Sequence, residues 1–275
     1  MSKLTALLSK AQLALGGAVL LTVSAAGQAI TVDGNLADWG LTFSGQSSDW
    51  TTTQAGVLSV VEDQNGGSGA FLSPGWGGQA YDAEAMYMKW NSSHLYVAMV
   101  TGHNPATVNN PAGNTYGRGD FAFDFNLDGT WDFGFATANR AGGIVQGSLY
   151  STTNANWAYG LWSSSGVQGP STDATALTGG TLASLGSLVI SGVQANMGAL
   201  GGNHWIYELA IPVSAFGSLW GALGPKEAFD VTWTELCAND VIRLDPPVSS
   251  VPVPGTAGLA LVGMLGLGLR RRSRG

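Results

Sequence analysis

Cysteine, histidine and basic side chains are all scarce in this 275-residue chain. Cys237 is the single cysteine, which excludes a disulfide within the chain and points to a buried, inert thiol. His94, His103 and His204 are the only histidines and share no ligand spacing. The order of residues therefore supports neither a His/Cys zinc set nor a Ser-His-Asp arrangement. Long apolar runs are missing too: the stretch from Ala257 to Leu269 falls short of the ~20 residues a helix needs to span a bilayer.

Glycine, by contrast, is abundant, with 41 residues, about twice the usual ~7% share. Ten tryptophans accompany it, together with many Ser, Thr and Asn. That mixture describes a turn-rich β-protein, and large aromatics on alternating positions argue for a packed sheet over disorder.

The two ends read as addresses. Lys3 and Lys10 precede an apolar stretch from Leu13 to Val23 and small residues from Ser24 to Ala29, the layout of a secretory signal peptide over residues 1–29. At the other end Val251-Pro252-Val253-Pro254-Gly255 leads into the Gly/Leu-rich run, and Arg270-Arg271-Arg272-Ser273-Arg274 follows. Positive charge beside a membrane segment resists translocation, so the arginines are expected on the cytoplasmic side. Between residues 30 and 245 stand all eighteen acidic residues but only Lys89, Arg118, Arg140, Lys226 and Arg243, which leaves the body a net charge of −13. So acidic a body excludes nucleic acid as a partner, because that affinity rests on Lys and Arg neutralising phosphates. It suits calcium, or neutral and cationic partners.

The tail over residues 251–275 resembles a PEP-CTERM sorting signal, which joins a Pro-x-Pro motif to a short hydrophobic helix and an arginine cluster. Pro252, Pro254, Gly255, Arg270, Arg271 and Arg272 carry the likeness, with Val253 where the usual motif has glutamate. The resemblance implies an exosortase-type sorting enzyme as partner and a transient stay in the inner membrane through the C-terminal helix. It also implies a Gram-negative envelope, surface or extracellular destination after the tail is processed. It covers about one tenth of the chain and speaks to address rather than activity.

Short strands with turn signals fill residues 30–245, and residues 246–250 form a Pro/Ser linker. Strands are expected at Ile30–Val32, Leu58–Val61, Leu185–Ile190, Trp205–Ile211, Phe229–Leu236 and Val241–Leu244. Hairpins are expected for Ala85–Trp90 with Leu95–Val100, for Asp120–Phe125 with Trp131–Thr137, and for Ile144–Tyr150 with Asn156–Trp162. Phe121, Phe123 and Phe125 alternate with Ala122 and Asp124, a period of two. The fold class is mainly β: a single antiparallel β-sandwich with jelly-roll or immunoglobulin-like layers and long Gly-rich loops. Val32-Asp33-Gly34 with Asp38-Trp39, Leu95-Tyr96-Val97-Ala98 and Glu208-Leu209-Ala210-Ile211-Pro212 resemble the sandwich domains of the DOMON and family-9 carbohydrate-binding type.

Two groups of residues are candidates for chemistry. Asp124, Asn126, Asp128, Thr130 and Asp132 stand in the frame D-x-N-x-D-G-x-x-D, the first nine positions of a calcium loop. Hard oxygen donors on alternate residues and a glycine at the bend are what calcium needs. Phe135 occupies the place of the bidentate Glu, so the loop is no EF-hand, and an Asp-Gly hairpin turn with solvated carboxylates explains it equally. Glu62, Asp63, Asp82 and Glu84 bracket the Gly77-Gly78-Gln79 loop, an arrangement able to build an oxygen-rich ion site, a sugar contact or simple amide caps. Arg118-Gly119-Asp120 spells an adhesion tripeptide but reads as the approach to a strand.

Together these features describe an exported, non-enzymatic protein with a structural or adhesive role in a biofilm or exopolysaccharide setting, with calcium as a candidate cofactor. A carbohydrate-binding module for the cell's own exopolysaccharide is the first rival. A glycoside hydrolase using two of the clustered acids is the second.

Overall fold

The computed structural model describes residues 29–64, 77–161, 172–222 and 229–245. The expected signal peptide up to Gln28, the expected linker at 246–250, and the expected sorting residues Pro252, Pro254, Gly255, Arg270, Arg271 and Arg272 lie outside these. Among the described residues no helix is long and apolar enough to cross a membrane.

Thirteen strands are described: β1 (Leu58–Val61), β2 (Ala83–Trp90), β3 (His94–Thr101), β4 (Phe121–Phe125), β5 (Phe133–Phe135), β6 (Ser148–Ser151), β7 (Trp157–Tyr159), β8 (Ala174–Leu177), β9 (Thr181–Leu185), β10 (Ser187–Ile190), β11 (Trp205–Pro212), β12 (Phe229–Thr234) and β13 (Val241–Leu244). A short helix, α1 (Ser218–Ala222), follows β11. The strands form a five-stranded sheet in the order β1-β2-β3-β11-β10, a six-stranded sheet in the order β13-β12-β4-β5-β6-β9, and the pair β7-β8. Every strand pairing is antiparallel.

The two large sheets share one core. Met86, Met88, Val97, Met99, Tyr207 and Leu209 from the first meet Phe121, Phe123, Phe125, Phe135, Val231 and Trp233 from the second. Burying each such side chain contributes about 1.5–3 kcal/mol. The outer faces are covered as well. Leu36, Trp39 and Trp50 from the N-terminal segment cover Ala85, Tyr87 and Ala98, while Trp157, Ala174 and Leu177 cover Ala122. This double cover explains why β4 is buried along its whole length although its sequence alternates. Between β9 and β10 the chain passes from one sheet to the other at Gly186. A Cβ there would sit 2.7 Å from the Phe135 ring and 2.8 Å from the Ala210 carbonyl oxygen, so only glycine lets the chain through.

Most expected strands are present, and the first two expected hairpins pair in register. The third does not: β6 pairs with β5 and β9, while β7 pairs with β8 (Ala174–Leu177), a strand the Ser/Thr-rich sequence conceals. No strand forms at Ile30–Val32. The Glu208 carboxylate takes the amides of Asp33, Gly34 and Asn35, and its other oxygen accepts from Trp39 Nε1 at 2.7 Å. That ties the segment down by side-chain capping in place of a ladder.

Candidate metal centre

Six carboxylic acids converge where the two sheets meet at one end. Four come from the first sheet. Val61 pairs with Ala85, and the Glu62 amide donates to the Glu84 carbonyl at 2.8 Å, so the register sets Glu62-Asp63 beside Asp82 and Glu84. Register shifts between Ala83 and Ala85, a bulge that re-aims the Glu84 side chain. Asp82 is fixed through its carbonyl, which accepts from Thr101 Oγ1 at 2.6 Å and Gly102 N at 2.8 Å. The other two acids come from the second sheet: Glu235 directly follows β12 and Asp240 directly precedes β13. Asp240 Oδ2 accepts from the Ala83 amide at 2.7 Å, which joins the sheets at this corner.

Glu84 is oriented by two side chains. His204 Nε2 lies 2.9 Å from Glu84 Oε1, and Gln79 Nε2 meets the same oxygen. Gln79 arrives there because its carbonyl crosses Gly102 so closely that a Cβ on Gly102 would lie 1.7 Å from it. His204 stacks edge-on to Trp50 with ring centroids 5.8 Å apart, and burial pushes its pKa down.

One oxygen from each of Asp63, Asp82 and Glu84 lies within 4.8 Å of the others. Ligands on one cation with bonds of about 2.3–2.6 Å spread over just such a distance. Among the described residues this is the one group of three or more His, Cys, Asp or Glu with that spacing. Asp82 and Glu84 are buried, as are Glu235 and Asp240. Both oxygens of Asp82, Glu84 Oε2, Asp240 Oδ1 and Asp63 Oδ1 accept from no N–H or hydroxyl group among the described residues. Asp63 approaches Glu84, and Asp82 approaches Asp240, to hydrogen-bonding range, carboxyl against carboxyl. Two acceptors can hold such a contact only with a proton or a cation between them.

Electrostatics follow from this crowding. Burial, then the charge of Glu84, lifts Asp82 to about 8. Burial lifts Glu84 and Asp240 to about 8 as well, and burial with the Asp240 charge lifts Glu62 to about 7. Glu235 is pushed well above its ordinary value by burial and by Asp240. The described basic residues lie elsewhere. Arg118 donates to the Thr137 carbonyl, Arg140 pairs with Asp120, Arg243 approaches Asp230, and Lys89 feels the charge of Asp38. Hard carboxylate oxygens with no thiolate and no free imidazole nitrogen facing them suit calcium better than zinc.

All four acids of the Gly-loop group, Glu62, Asp63, Asp82 and Glu84, therefore come together. Sequence reading misses Glu235, Asp240 and His204, whose one visible signal is an acid set directly against an apolar strand in a chain with few counter-charges.

The hairpin group behaves differently. Asn126 and Leu127 are both left-handed, and Asp124 accepts from the Asp128 and Gly129 amides at 3.2 and 2.9 Å. Asp128 Oδ1 caps Thr130 N at 2.8 Å, and Asp132 Oδ2 caps Phe125 N at 2.8 Å. These carboxylates accept from the loop's own backbone, an arrangement that both the Asp-Gly hairpin and the calcium loop would keep. Arg118-Gly119-Asp120 is built into the fold: Asp120 is buried and pairs with Arg140 at 2.7 Å. Cys237 is buried, and its thiol is pushed up by burial.

Comparison with protein-family models finds no match to this chain, and comparison with curated protein sequences finds none either.

Proposed function

We propose that this chain is an exported, non-enzymatic β-sandwich protein of a Gram-negative envelope or extracellular matrix, its sandwich fastened by one divalent cation, calcium. The observation that carries the cation is the convergence of Asp63, Asp82 and Glu84, one oxygen of each lying within 4.8 Å of the others. Asp63, Asp82 and Glu84 ligate the ion, with Glu62 beside them, and His204 and Gln79 hold Glu84 in place. Calcium outside the inner membrane is abundant enough for a site of modest affinity.

Export rests on the signal-peptide pattern of residues 1–29. Sorting rests on the likeness of Pro252-Val253-Pro254 and the terminal arginines to a PEP-CTERM tail read by an exosortase. The structural role, in a biofilm or exopolysaccharide setting, accords with the acidic body and the lack of a nucleophile–base pair in the sequence.

Two measurements test this. Purified full-length protein should melt higher in calcium than in chelator, and an unchanged melting temperature would remove the cation from the reading. The intact mass of the protein recovered from outside the inner membrane should show both ends processed. A cytoplasmic protein with both ends intact would end the export reading.

A further inference from the structure

The sandwich has one guarded side and one open side. On the guarded side β1 and β13 are the outermost strands, and β13 packs against β1 and β2. Glu62 and Asp63 directly follow β1, and Arg243 stands exposed within β13, so charge marks both of these edges. On the open side the outermost strands are β9 and β10, which follow one another through Gly186. Among the described residues no strand pairs beyond either. Such an edge presents a row of unpaired amides and carbonyls, which folded proteins ordinarily shield with lysine, proline or a covering segment. Thr181-Leu182-Ala183-Ser184-Leu185 contains neither lysine nor proline.

The same edge carries an apolar patch. Ser148 opposes Leu185 and Tyr150 opposes Leu182, with a register shift between Leu149 and Tyr150 that leaves Ala183 as the extra residue. Residues two apart on a strand share a face, and so do partners across a strand pair. Leu182 and Leu185 stand three apart, so it is the bulge that brings them onto one face. They are 55% and 69% exposed. The Val145 amide donates to the Tyr150 hydroxyl at 2.8 Å, which sets a third exposed apolar side chain beside this face.

We propose that a second copy of this chain docks here, β9 pairing antiparallel with its own image across a two-fold axis. Charge selects that occupant. From Ala141 to Tyr207, Asp173 is the sole Asp, Glu, Lys or Arg, so β6, β9 and β10 form neutral ground on a body of net charge −13. Two copies repel wherever else they meet. A cationic partner is drawn to the acidic surface instead, and an anionic lipid surface finds no basic residue on these strands to hold it. An antiparallel edge is also self-complementary, because each contact it makes across a two-fold axis is made twice. With the axis near the middle of β9, Leu182 of each copy comes against Leu185 of the other, and the two six-stranded sheets join into one.

Sedimentation velocity of the purified full chain over a range of concentrations tests this. A reversible dimer is expected, and it should tighten as salt rises from about 0.02 to about 0.5 M, since salt screens the repulsion between two acidic bodies. Leu185→Lys should weaken the dimer about tenfold or more. Ser59→Lys, exposed on β1 at the opposite side of the sandwich, should leave it unchanged. Should Leu185→Lys fail to fold, hydrogen exchange of the wild type decides: the amides of Thr181–Leu185 should exchange more slowly as concentration rises. A chain monomeric at every concentration and salt, a dimer equally strong in Leu185→Lys, or a dimer that salt weakens would overturn the proposal. So would protection gained only outside β9, which would assign the contact to another segment such as the terminal tail.

Discussion

Asp82 and Asp240 bring two carboxyl groups into hydrogen-bonding range at the junction of the two sheets, although neither has a donor between them. A buried acceptor facing another acceptor costs free energy unless something positive separates them. The amide of Ala83, donating to Asp240 Oδ2, holds the contact in place, so the repulsion cannot relax by simple rotation of Asp240. A proton shared between the two carboxyls or a cation beside them relieves that cost, and the two cases give different stabilities.

Calcium removal is the first test. A ligand that binds only the folded state stabilises it by about 2.7 kcal/mol at a hundred times its Kd. For a body of this size, each kcal/mol moves the melting temperature by about 2–4 °C. Saturating calcium should therefore raise Tm by about 5–10 °C over chelator, read by calorimetry. A reduction of the effect by high magnesium alone would show weaker discrimination than the oxygen donor set suggests.

Asp82→Asn separates binding from packing. The substituted amide keeps the shape of the carboxylate but removes one charge from the centre of the cluster. Tm of this variant in chelator should match or exceed that of the wild type, and its calcium shift should fall to about a quarter or less, because a central ligand is lost. A variant that melts far lower in chelator, yet keeps the full calcium shift, would show that Asp82 serves packing and not the ion.

The pH dependence without calcium has a definite sign. Asp82, Glu84 and Asp240 are lifted to about 8 from 3.8, 4.5 and 3.8, so in this range the folded state binds more protons than the unfolded. Their stabilising contribution is fully present below those ordinary values and is lost as pH rises through about 8. His204 and His103, pushed down by burial, act oppositely as pH falls through 6.5. In chelator, Tm should drop between about pH 6.5, above which the histidines no longer oppose the effect, and about pH 8, then level off, and calcium should flatten that drop by taking the protons' place. A Tm in chelator that rises over this interval would contradict the cluster's electrostatics.

Strands were the most legible part of the sequence, because Phe121-Ala122-Phe123 and Trp205 to Ile211 carry pattern and turn signals together. β8 was hidden, since Ala174-Thr175-Ala176-Leu177 has little apolar bulk and owes its burial to covering Ala122. At the site, Glu62, Asp63, Asp82 and Glu84 were readable because they bracket one loop. Glu235 and Asp240 were not, because what brings them near Asp82 is sheet-on-sheet packing, which has no local signal. The Asp124–Asp132 loop was legible as a turn, with Asn126 and Leu127 in left-handed backbone and its carboxylates accepting from its own amides.

Glu208 provides a test far from the cation. Its side chain is fully buried on β11, and its two oxygens accept from Trp39 Nε1 and from the amides of Asp33, Gly34 and Asn35. One carboxylate thus secures the segment whose Leu36, Trp39 and Trp50 cover the outer face of the first sheet. Glu208→Ala leaves an indole N–H and three amides without their acceptor, at a cost of about 3 kcal/mol or more. Glu208→Gln keeps one carbonyl oxygen and should cost roughly half as much. Hydrogen exchange should report the loss first at Asp33–Trp39, ahead of β4 and β12, because the inner core does not touch Glu208's partners. Uniform loss of protection across both sheets would mean that the N-terminal segment and the sandwich unfold as one unit.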